Sequence, residues 1–239
     1  MATSSILSII ASMASNLSAA YDAAAAKSAT MPSQKNLANL PGVIATVVPT
    51  DTTFCALVAD EVSVYSNSGI STLASHAFQG ATALQQVALA TCSSIGEEAF
   101  AGCYSLQNAS LPACQGLGYN AFRQCSSLQS IQLPECQFIG YDAFQGCSSL
   151  QSVSLPVCQE ISTYAFYDCG MLQSIYAPEC VTIRTGAFAF CSGLQTVSFP
   201  ACVSLQYSNV FSNCLSLSEV YFDECQSIGS FAFYYRFDE

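Results

Sequence analysis

Thiols are the most abundant reactive groups in this chain, and their spacing is regular. Thirteen of the fourteen cysteines fall into two columns. One runs from Cys92 through Cys114, Cys136, Cys158, Cys180 and Cys202 to Cys225. The other runs from Cys103 through Cys125, Cys147, Cys169 and Cys191 to Cys214, and Cys55 stands outside both. A metal centre needs thiolates converging on one ion, and the sequence has no CxxC pair or Cys/His cluster that would supply them. Disulfides within a column would join residues about one strand spacing apart, with Cα atoms in bonding range. In-register side chains point the same way, however, which leaves their Cβ atoms wider apart than a relaxed bridge prefers. The reading is therefore free core thiols acting as small hydrophobes, with disulfides second and a metal site last.

Other catalytic chemistry has little to work with. His76 is the only histidine. A Cys–His nucleophile would need a thiol beside it, but its coil carries Ala81 where later coils carry cysteine. Glu135, Asp142, Glu160, Asp168 and Glu179 read as scattered solvent positions, with no spacing that pairs an acid with a base. No glycine-rich phosphate loop or metal-ligand triad is present. The expectation is a protein that is not an enzyme, with no cofactor and no bound metal.

The elements that position these residues follow from a repeat. Phe78, Phe100, Phe122, Phe144, Phe166, Phe188, Phe211 and Phe233 are 22 residues apart, except for one step of 23 between Phe188 and Phe211. A fixed period of this length predicts stacked coils, because one such unit cannot bury its apolar face alone. Counting from each Phe, Leu stands at +6 and apolar residues at +9 and +11, as in Leu150, Val153 and Leu155. That ending has period two, so it predicts a short strand with one face buried. Pro112, Pro134, Pro156, Pro178 and Pro200 directly follow the strand and stop its pairing. A cysteine, an Ile or Leu, often a glycine, and the Ala-Phe pair complete the coil. Gly96, Gly118, Gly140 and Gly229 mark a bend where a side chain would crowd. The first coil, from about Phe54 to Phe78, keeps Leu73 but replaces the two cysteines with Ile70 and Ala81, as a terminal repeat would.

The unit LxxIxLPxCxxIGxxAFxxCxS resembles the BspA-type leucine-rich repeat over residues 70 to 233. The resemblance implies a repeat solenoid: a right-handed leucine-rich-repeat superhelix with one parallel β-sheet. It also implies a surface-exposed protein engaged in adhesion and host contact. With strands about 4.8 Å apart, about eight coils would make a rod on the order of 40 Å long.

Outward positions of that sheet fall at +8 and +10. They read Gln86/Ala88, Asn108/Ser110, Ser130/Gln132, Ser152/Ser154, Ser174/Tyr176, Thr196/Ser198 and Glu219/Tyr221. The strip is small, polar and nearly uncharged. Two readings stand: a solvated face without a partner, or an extended surface for a protein or glycan ligand. Under the second, the candidate ligand-binding residues are Ser130, Gln132, Ser152, Ser154, Ser174, Tyr176, Thr196, Ser198 and Tyr221. Tyr176 and Tyr221 are the anchors, since aromatic side chains bury much area at low entropy cost.

The chain divides into an N-terminal helix at 1–30, a connector at 31–53 and the solenoid at 54–239, with a degenerate first coil and a short C-terminal cap. Ile6, Ile10, Met13 and Leu17, followed by Ala20 and Ala24, alternate in steps of four and three, the seam of a helix that packs on another helix. It reads either as a cap on the first coil or as a device for homo-oligomerisation. From Lys27, Thr30 and Pro32 to Asn36-Leu37, Asn39-Leu40 and Ile44, the segment resembles a short N-terminal module of tail or surface proteins from gut bacteria and their phages.

Sixteen acidic residues against five basic ones give a net charge of −11. Lys27, Lys35, Arg123, Arg184 and Arg236 form no cluster, so nucleic acid and anionic membrane surfaces are excluded as partners. The apolar run near the N-terminus lacks a preceding basic residue and is interrupted by serines, which argues against both a secretory signal and membrane insertion. The expected location is extracellular, on a cell surface or on a virion, reached without a classical signal if need be. Two functions follow: a surface binding protein, or a structural subunit of a virion or filament assembled through the N-terminal helix and the solenoid ends. The final FAFYYRFDE leaves a sheet edge open to pairing unless it folds over the last strand.

Overall fold

The structure, a computed structural model, describes residues 63–205 and 207–234. Each coil contributes one longer strand and one two-residue strand. In chain order these are β1 (Val64–Asn67) and β2 (Thr72–Leu73), β3 (Gln86–Leu89) and β4 (Ser94–Ile95), β5 (Asn108–Ser110) and β6 (Gly116–Leu117), and β7 (Ser130–Gln132) and β8 (Phe138–Ile139). They continue with β9 (Ser152–Ser154) and β10 (Glu160–Ile161), β11 (Ser174–Tyr176) and β12 (Thr182–Ile183), β13 (Thr196–Ser198) and β14 (Ser204–Leu205), and β15 (Glu219–Tyr221) and β16 (Ser227–Ile228).

The odd-numbered strands form one eight-stranded parallel sheet in chain order. Its register repeats the sequence period: Ile131 pairs with Val153, and Val153 with Ile175. The expectation of a single parallel sheet is corrected by the even-numbered strands. β2 to β12 form a second, six-stranded parallel ladder, and β14 pairs with β16. These strands alternate over only two residues, as in Glu160–Ile161, too few to show a period in the sequence. The inward Ile or Leu of each is buried through β14, while in the last strand, β16, Ile228 is exposed. The expected N-terminal helix, with Ile6, Ile10, Met13 and Leu17, and the connector lie outside the described residues.

A third ladder runs through the turns, where the Phe amide of one coil donates to the Ala carbonyl of the next: Phe122 to Ala143 at 2.8 Å and Phe144 to Ala165 at 2.7 Å. This stacks the repeat phenylalanines into a spine. Successive rings from Phe78 to Phe233 lie nearly parallel with centroids 4.9–5.5 Å apart. Leu205 keeps the 22-residue step from Ile183, so the extra residue of the 23-residue step falls between Leu205 and Phe211. The turn absorbs it, and Phe188 still stacks on Phe211 at 5.3 Å.

Gly96, Gly118 and Gly140 are needed for close approach to the preceding coil. A Cβ on Gly118 would come within 2.8 Å of the Glu97 nitrogen, and one on Gly140 within 2.6 Å of the Gly118 oxygen.

Candidate recognition face

The thirteen described cysteines are free thiols, eleven of them fully within the core. Each column has its own acceptor. In the first, the thiol donates to a carbonyl two residues on, as from Cys114 to Gly116 at 3.3 Å. In the second, it donates to the Phe carbonyl of the preceding coil: Cys125 to Phe100 and Cys147 to Phe122, both at 3.1 Å. A small, weakly donating side chain thus fills the interior and adds a bond to a main-chain carbonyl; the Phe100 and Phe122 oxygens also accept the amides of Cys103 and Cys125. Burial pushes the Cys147 thiol far up and Cys202 up to about 11, which keeps these two protonated, whereas a hydrogen bond from Cys114 holds the Cys136 thiol below its ordinary value.

His76 is exposed, and its Nδ1 lies 3.5 Å from Glu98 Oε2. Glu160 pairs with Arg184, whose guanidinium also donates to the Tyr207 hydroxyl at 3.2 Å. Asp142 departs from the expectation of solvent exposure. It is only 7% exposed, at a left-handed corner with φ 53°, between the coils of Asn120 and Tyr164. Desolvation raises its carboxyl above the ordinary range, with Arg123 opposing. Among the described residues, no group of three or more His, Cys, Asp or Glu is placed to hold a metal ion.

The outer face of the eight-stranded sheet carries the residues singled out by spacing. Ser130, Gln132, Ser152, Ser154, Ser174, Tyr176 and Tyr221 are exposed, and Thr196 and Ser198 half-buried. Between them, Ile131, Val153, Ile175 and Val197 point inward. The face holds together through hydrogen bonds across strands. Ser130 Oγ donates to Asn108 Oδ1 at 2.8 Å, and Ser110 Oγ to Gln132 Oε1 at 2.9 Å. At the far end Thr196 Oγ1 and the Tyr221 hydroxyl both donate to Glu219 Oε2 at 3.4 Å.

Two features of the surface were not among the candidate residues. A shallow depression of about 270 Å³ lies on the sheet face between Val64, Gln86, Ala88, Asn108, Ser110 and Gln132. It forms where the small Ala88 and Ser110 stand among longer amides, a size contrast visible in the sequence once the outward row is written out. On the turn side, rings touch edge-on from exposed Tyr119 and Tyr141 to half-buried Tyr164 and Tyr167, with centroids 5.6–6.4 Å apart. Their positions vary relative to the repeat Phe, so only the coil geometry brings them together.

The BspA-type leucine-rich-repeat profile matches residues 52–156 and 115–237, in six copies. The chain belongs to the BspA-type leucine-rich-repeat family. Among solved structures, it is similar to the leucine-rich-repeat protein of T. pallidum, with 26% identity, a TM-score of 0.56, and coverage of 70% of this chain and 77% of that one. It is also similar to a leucine-rich cell surface protein of Faecalibacterium prausnitzii A2-165, with 19% identity, a TM-score of 0.49, and coverage of 72% and 66%. No curated protein matches its sequence. No helix among the described residues is long and apolar enough to cross a membrane.

Proposed function

We propose that this BspA-type solenoid is a non-enzymatic binding protein whose eight-stranded sheet face recognises a protein or glycan at a cell or virion surface. The observation that carries the reading is the division of labour within each coil. Inward positions are nearly fixed as Leu, Ile, Val, Cys and Phe, while the outward positions vary among Ser, Thr, Asn, Gln, Ala, Tyr and Glu, with a depression toward one end. A surface of uncharged hydrogen-bonding groups with a few aromatic anchors suits recognition, and repeat arrays offer such surfaces along their length. Residues 54–239 are then the recognition module, 31–53 a connector, and 1–30 the attachment or capping segment. The test is binding of fluorescently labelled protein to epithelial and bacterial cells. Tyr176→Ala with Tyr221→Ala should abolish it; undiminished binding by that variant would remove the sheet face as the contact surface.

One observation favours a second reading, a structural subunit assembled through its ends. The last coil exposes Val220, Ile228 and Phe231, whose counterparts in earlier coils include buried Val197 and Leu205. Light scattering on the full chain beside a version lacking residues 1–30 separates the readings. A defined oligomer that the truncation dissolves makes the N-terminal segment an assembly device; monomers in both cases leave the binding reading alone.

A further inference from the structure

Glu219 is the only charged side chain among the described outward positions of the eight-stranded sheet. It stands beside the two exposed aromatics of that face. Tyr176 pairs in register with Ser198, and Ser198 with Tyr221, so the tyrosines share one row with a single small residue between them. Both are open to solvent, Tyr176 at 57% and Tyr221 at 49% exposure. Two strand spacings put their Cα atoms about 10 Å apart, and a flat group packed on both sides needs roughly 7–8 Å. A cation midway would sit about 5 Å from each ring row, inside the range of about 6 Å over which an aromatic face attracts it. Ser198 forms the floor. Glu219, in register with Thr196 and two residues before Tyr221 on β15, accepts from the Thr196 and Tyr221 hydroxyls and supplies a carboxylate beside the slot.

The geometry points to a slot for one arginine side chain of a partner protein, stacked between Tyr176 and Tyr221 with its guanidinium directed at Glu219. This rests on the sheet-face reading above and adds the occupant. Three properties select guanidinium. It is planar, so it fits between two rings. It presents paired N–H donors to a carboxylate. It is positive, which suits a chain of net charge −11. A neutral sugar would meet the aromatic walls equally well and could donate a hydroxyl to the carboxylate, but it lacks the opposite charge and the paired donors that a guanidinium brings.

The probe is a capped Gly-Ser-Gly-Arg-Gly-Ser-Gly peptide, beside its citrulline counterpart, which keeps the shape and loses the charge. Each is titrated into full-length protein carrying labelled tyrosine and followed by NMR. The arginine peptide should shift the Tyr176 and Tyr221 signals, assigned with single Tyr→Ser variants, and citrulline should bind about tenfold more weakly. Glu219→Gln, an isosteric change at an exposed position, should weaken the arginine peptide at least about threefold and leave citrulline unchanged. Equal response to the two peptides, or shifts in neither tyrosine, overturns the slot, as does a glycan that moves the same two signals when arginine does not. If cell binding still falls in the double tyrosine variant, only the occupant was wrong. If it does not, the recognition face fails with it.

Discussion

The phenylalanine spine makes a quantitative demand that separates interior stacking from ordinary burial. Phe144 is fully buried between Phe122 at 5.5 Å and Phe166 at 5.0 Å, both nearly parallel. Phe144→Ala removes its transfer free energy, leaves a cavity and breaks two ring contacts, a loss of about 3–5 kcal/mol. Phe233 occupies the same repeat position, but it is 39% exposed and, among the described residues, stacks only on Phe211, at 5.2 Å. Phe233→Ala should cost about 1–2 kcal/mol, from partial burial and a single contact. Phe144→Leu keeps an apolar side chain and forfeits the stacking, and falls between the two. The assay is urea unfolding of the full chain, followed by far-ultraviolet circular dichroism and tyrosine fluorescence, since there is no tryptophan. Because each coil is held only by its neighbours, the interior variant should also lose coincidence of the two probes as the array splits. If Phe144→Ala and Phe233→Ala agreed within about 0.5 kcal/mol, nearest-neighbour stacking would not be what holds the solenoid together.

Three further outcomes follow from the core and the turns. Asp142 has a raised carboxyl in the fold, so its contribution to stability is fully present below its unfolded value and lost as pH rises through the folded one. Asp142→Asn should therefore raise the melting temperature at pH 7 and change it little near pH 3.5; a gap that stays constant across that range refutes the burial argument. Gly118→Ala places a Cβ 2.8 Å from backbone of the preceding coil and should destabilise by about 1–3 kcal/mol. Gly80→Ala meets nothing within 4 Å but sits at φ +72°, and should cost about 1 kcal/mol, so denaturant midpoints should rank the two in that order. Unfolded, unreduced protein should take up fourteen alkyl groups by mass spectrometry, while native protein reacts slowly; a shortfall in steps of two would mean bridged thiols.

The sequence revealed what the period encodes and missed what depends on how coils meet. Val153 and Leu155 alternate with the polar Ser152 and Ser154, so the sequence pattern alone assigns the long strands and their outward rows. Glu160–Ile161 is too short to alternate, and the second ladder became visible only when Ile139, Ile161 and Ile183 were seen in register. The cysteine columns read correctly as interior thiols, but not their use as donors, because the Cys125 acceptor lies 25 residues away in the preceding coil. Asp142 looked like a solvent charge for the same reason: its burial comes from neighbouring coils, not from its own.

This asymmetry bears on function. A core that repeats is set by stacking and carries no information about a ligand, so selection for binding can act only where the period is broken. On the eight-stranded face those breaks are Ala88, Tyr176 and Tyr221 in one outward row, and Glu219 in the neighbouring row after Ser130, Ser152, Ser174 and Thr196. Ala88 makes a depression lined by amides, the other three a pair of rings beside a carboxylate. They lie toward opposite ends of the sheet, with Ser152 and Ser154 of β9 between them. A ligand long enough to touch both would span about four strands, or roughly 20 Å, within reach of an extended segment of about six residues. A partner that engages only one end would leave substitutions at the other without effect. Measuring Ser110→Lys at the depression and Tyr176→Ala at the slot singly and together therefore reads contact length directly: if each weakens the same ligand and the losses add, that ligand spans both ends, and if only one of them weakens it, it engages one end alone.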